Sequence, residues 1–96
     1  MQKNIIEVET KNYGIVSERI IYVDKIAAER AARAGGWSLH GDEITLMAFW
    51  AWHVLKRTHV IPETLKYEDF RDNELIDANV EQSDLDPTQA GLGNSN

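Results

Sequence analysis

The chain has 96 residues, carries 10 lysines and arginines against 16 aspartates and glutamates for a net charge of −6, and contains no cysteine. That length suits one compact domain, and a domain so small buries only about 60–65% of its unfolded surface, so every large apolar side chain left outside needs a reason. The acidic balance argues against a nucleic-acid binder, and the lack of cysteine excludes disulfides, thiolate metal sites and a cysteine nucleophile.

Taken in chain order, residues 4–10 alternate, Ile6 and Val8 against Glu7 and Glu9, as a strand with one buried face does. Gln2, Lys3 and Asn4 lead straight into this segment, so no secretory leader is expected. Lys11, Asn12, Tyr13 and Gly14 supply turn chemistry, and the β-branched run from Ile15 to Val23 completes a β-hairpin. A helix over 16–34 competes with the second strand, because Val16, Ile20 and Val23 also fall near helical spacing. Asp24 reads as an N-cap, residues 25–34 are rich in alanine, and Gly35-Gly36 stop that helix. Ala27, Ala28, Ala31 and Ala34 are expected on its packed side.

Asp42 and Glu43 place negative charge at the start of the next helix, which should reach Thr58 or His59, with Pro62 barring continuation. Its apolar run from Ile44 to Leu55 is broken only by Thr45 and His53, yet it falls well short of the roughly 20 residues that cross a bilayer. At 100° per residue, Ile44, Met47, Ala48, Trp50, Ala51, Val54 and Leu55 form the expected core face, and Thr45, His53, Lys56 and Arg57 the wet face. Leu46 and Phe49 fall on the wet side, and Trp52 lies at the border. Either the rest of the chain wraps round to cover them or they belong to a partner surface, with Lys56 and Arg57 as a basic rim suited to a segment with acidic flanks.

A third helix is expected after Thr64, carrying Leu65, Tyr67, Phe70, Leu75 and Ile76. From Asp77 onward there is no lysine or arginine, and the last ten residues are mostly small and polar. The whole reads as an α+β fold, mainly α: an N-terminal hairpin and about three helices over residues 1–80, then a disordered acidic tail over 81–96.

The sequence holds no recognisable catalytic or metal-binding motif. His53 and His59 are six residues apart and cannot form the i, i+4 pair of a helical zinc site. None of Ser17, Ser38 or Ser83 sits in a nucleophile motif, and Gly35-Gly36 and Gly91-Leu92-Gly93 lack the setting of a phosphate loop. Neither an enzyme nor a cofactor or metal is expected.

The stretch AFWAWHVLKRTHVIPETLKYEDF, Ala48 to Phe70, resembles the tail assembly chaperones of long-tailed bacteriophages, especially those of actinobacteria. The likeness rests on Phe49 to Arg57, on Thr64 to Phe70 and on Asp86-Pro87-Thr88, and in outline it extends over about 80 of the 96 residues. The chain departs from the pattern at Arg71-Asp72-Asn73-Glu74, where a more apolar helix would be expected. The resemblance implies a cytoplasmic protein of the infected host, absent from the mature virion, that keeps the tape measure protein soluble and helps recruit tail tube protein. It leaves a homo-oligomer open and involves no nucleic acid and no membrane. Leu46, Phe49, Trp52, Lys56 and Arg57 are the candidate contact residues. The alternatives are a small helix-turn-helix DNA-binding regulator or a structural head–tail component.

Overall fold

A computed structural model describes the chain over residues 2–84, with side chains from 4 to 81. The elements run β1 (Gln2–Thr10), β2 (Ile15–Ile20), α1 (Tyr22–Gly35), α2 (Glu43–Arg57), α3 (Tyr67–Asn73) and β3 (Leu75–Asp84). The fold is α+β, with three antiparallel strands in the order β2-β1-β3.

The expected hairpin forms. Gly14 takes a positive φ of 78°, and Thr10 ties the turn by donating from its backbone and its hydroxyl to the Gly14 carbonyl. The turn is also held from the far end of the chain. The Glu74 carboxylate accepts from the backbone and side-chain amides of Asn12, and the Glu74 carbonyl accepts from Lys11 N–H.

β2 ends at Ile20, and Tyr22 and Val23 already lie in α1, so the strand and helix readings of 15–23 each hold for part of the segment. Asp24 is not the N-cap but the third residue of the helix, where its carboxylate accepts the Ile21 N–H at 2.8 Å. The buried side of α1 is Asp24, Ala28 and Ala32, while Ala34 is exposed. Helices α1 and α2 therefore meet over small side chains. Gly36, with φ 74°, ends α1 in the left-handed conformation, and the Ala32 carbonyl accepts from Gly36 and Trp37.

Helix α2 matches its expected bounds. It ends in a Schellman arrangement in which Val60 N–H donates to Leu55 O and His59 N–H to Lys56 O, with His59 in the left-handed position that glycine usually takes. The core joins Ile6, Val8 and Ile20 of the sheet to Ala51, Val54 and Leu55 of α2, closed by Ile61 and Phe70.

The third helix is shorter than expected. It stops at Asn73, and Leu75 and Ile76 open β3 instead. Residues 71–74 are all polar or charged and offer no apolar face to extend a helix, whereas Ala78 and Val80 alternate inward against exposed Asp77, Asn79 and Glu81. β3 pairs with β1 from Thr10↔Leu75 to Gln2↔Asp84, with a register shift at Glu9/Thr10. It therefore runs through the boundary expected at 80/81. The remainder of the expected tail, 85–96, lies outside the described residues.

Candidate partner surface

Helix α2 is wrapped on all sides: from Thr45 to Thr58 no residue is exposed. Phe49, expected on the wet side, is 8% exposed. Trp37 from the α1–α2 connection and Tyr67 from α3 cover it, with ring centroids 6.3 and 5.9 Å away. Trp52 lies at 5.7 Å, and the His53 ring stacks on Phe49 at 5.8 Å. A helical wheel shows which face a side chain takes but not which distant segment covers that face; of the two readings open for Phe49, the structure has the one in which the rest of the chain wraps round it.

The other expected contact residues are also engaged. The Trp52 indole N–H donates to the Leu65 carbonyl at 2.8 Å, and Lys56 Nζ sits 4.0 Å from the centre of the Trp52 ring. Leu46 is half-buried, in a groove of about 360 Å³ shared with Tyr22, Lys25, Ile26 and Trp50. The Trp50 indole N–H, buried at that groove, finds no acceptor among the described residues. Leu46, Phe49, Trp52, Lys56 and Arg57 thus do not form one open patch.

Arg57 is not a free rim charge. Its Nε and Nη2 donate to the two oxygens of Asp24, at 3.1 and 3.0 Å, and Nη2 also donates to the Arg19 carbonyl at 2.9 Å. His53 Nδ1 lies 2.7 Å from Asp24 Oδ1. Asp24 is fully buried. Burial alone would raise its pKa, but the hydrogen bonds from Arg57, the Ile21 N–H and His53 outweigh that and hold the carboxyl below its ordinary value. Because the carboxylate stays ionised, His53 Nδ1 is the protonated ring nitrogen. The cluster knots the β2–α1 junction to α2.

The large apolar side chains that do face water lie elsewhere, at Ile15, Ile21, Tyr22, Val23, Ile44 and Ile76. Ile44, expected in the core, is 88% exposed, and its neighbours Asp42 and Glu43 at the start of α2 are exposed too. Ile76 is 54% exposed at the start of β3. Between them runs a groove of about 290 Å³ whose walls include Met47, Ala48, Leu75 and Ala78. Sequence reasoning missed both isoleucines by placing Ile44 on the core face of α2 and Ile76 within the third helix. The one usable signal was the acidic pair Asp42-Glu43 directly ahead of Ile44, which marks a helix start standing in water.

Among the described residues no group of three or more histidine and carboxylate side chains could hold a metal, and no helix is long and apolar enough to cross a membrane. Comparison with protein-family models, with curated proteins and with solved structures finds no match to this chain.

Proposed function

We propose that this protein is a non-catalytic chaperone of phage tail assembly, which binds the tape measure protein, keeps it soluble and helps recruit tail tube protein. The observation that carries a binding role is that two exposed isoleucines, Ile44 and Ile76, share one apolar groove; Ile15, Ile21, Tyr22 and Val23 are exposed outside it. Leaving each of the two groove isoleucines exposed forgoes about 1.5–3 kcal/mol of burial, a large amount for a domain stabilised by roughly 5–15 kcal/mol in all. A partner that covers them recovers that energy. The tape measure protein enters through the resemblance carried by Phe49 to Arg57, Thr64 to Phe70 and Asp86-Pro87-Thr88.

Co-expression with the long tape measure reading frame of the same genome tests the proposal. The client should move from the pellet to the soluble fraction and co-purify with the chain, and purified virions should lack the chain. A client equally insoluble with and without it would overturn the reading, and the chain's presence in virions would favour a structural component.

A further inference from the structure

We infer that the groove between the first turn of α2 and the start of β3 docks a protein segment carrying aliphatic side chains flanked by lysine or arginine. This rests on the reading of the chain as a protein-binding module, but not on which protein it binds. Ile44 and Ile76 stand on either side of the groove, and Met47, Ala48, Leu75 and Ala78 make its floor apolar. The charged residues that line it and the groove next to it are acidic. Asp77 lines it directly, and a second groove that shares Ile44 is lined by Asp42 and Glu43. Among the described residues no lysine, arginine or histidine lines either groove.

Charge therefore selects the occupant. An aliphatic side chain fills the groove, and cationic neighbours meet Asp77 at its edge and Asp42 and Glu43 beside Ile44. A second copy of this chain would bring the same carboxylates against themselves, from a molecule of net charge −6. This is also the reverse of the partner expected from sequence, whose acidic flanks were to meet Lys56 and Arg57. Those two cations are already occupied by the Trp52 ring and by Asp24.

Fluorescence anisotropy of labelled synthetic peptides tests the inference on the full chain. Three peptides are compared: leucine and lysine at helical spacing, the same with glutamate for lysine, and glycine in place of leucine with lysine kept. The leucine–lysine peptide should bind at least tenfold more tightly than either of the others. Ile44→Ser combined with Ile76→Ser should weaken it tenfold or more with the circular dichroism spectrum unchanged, and Ile44→Ser alone should weaken it by a smaller factor. Glu43→Gln combined with Asp77→Asn should weaken it and flatten its salt dependence. Unchanged affinity in the isoleucine variants would place the contact elsewhere, and equal binding of the leucine–glutamate peptide would overturn the charge rule. A wild-type dimer that the serine variants dissociate in sedimentation would assign the groove to a second copy and overturn the inference. Peptide binding without client solubilisation would defeat only the tape measure reading, whereas client solubilisation unaffected by the serine variants would defeat only the docking site.

Discussion

Arg57, at the end of α2, closes on both carboxylate oxygens of Asp24 in the first turn of α1, at 3.1 and 3.0 Å. With His53 on Oδ1 and the Ile21 N–H on Oδ2, a buried carboxylate is satisfied from three directions. Such a cluster favours this one docking of α1 on α2, because removing any member strands the others.

Asp24→Asn should therefore destabilise the fold by about 3 kcal/mol, the scale of leaving a buried cation without its partner. The same substitution should alter the acid response. The Asp24 carboxyl lies below its ordinary pKa in the folded protein, so its contribution is complete above the unfolded value of about 3.9 and is lost as pH falls through the lower folded value. Urea unfolding between pH 7 and pH 2 should show a stability loss below about pH 4 that is shallower in Asp24→Asn. Parallel pH profiles for the two proteins would show that Asp24 does not carry this linkage.

Phe49 and Ile44 should respond oppositely to substitution, although the helical wheel assigns them the other way round. Phe49→Ala removes the ring on which Trp37, Trp52, His53 and Tyr67 converge and should cost about 3–5 kcal/mol. Ile44→Ser, at an 88% exposed position, should shift stability by no more than about 0.5 kcal/mol. Thermal unfolding followed by circular dichroism separates the two. A mild effect at Phe49 would mean that its aromatic cover is dispensable.

These two residues also mark how far the sequence could be read. The hairpin, the bounds of α2 and the end of α1 were legible, because alternation, Asp42-Glu43, Pro62 and Gly35-Gly36 are local signals. β3 was not. Among its described side chains Leu75, Ala78 and Val80 pack against the core, the last two within an acidic stretch, and its partner β1 lies at the opposite end of the chain. For the candidate site the difficulty was the same. Exposure at Ile44 and burial at Phe49 depend on β3, Trp37 and Tyr67, none of which periodicity within α2 can place.

His59→Gly should stabilise the protein. His59 holds a φ of 64° at the end of α2, a conformation that costs a non-glycine residue about 1–2 kcal/mol. Glycine removes that strain and loses part of the gain to the greater freedom of the unfolded chain, leaving about 0.5–1 kcal/mol. His59→Ala keeps the strain and should show no such rise in Tm. Equal melting of the two variants would mean that the backbone conformation is not the source.

Glu9 in β1 sits directly opposite Asp77 in the edge strand β3, and both residues are exposed. Like charges facing one another across strands destabilise the pair, by an amount that falls with salt. Glu9→Lys should therefore raise stability by about 0.5 kcal/mol at low ionic strength, with Glu9→Gln between it and the wild type. In 1 M salt, where the Debye length is about 3 Å, the three should converge. Ile15 opposes Glu9 from β2, so the lysine stem can also lie along an exposed aliphatic neighbour. A gain that persists undiminished in 1 M salt would assign the effect to that packing and not to relief of the carboxylate repulsion.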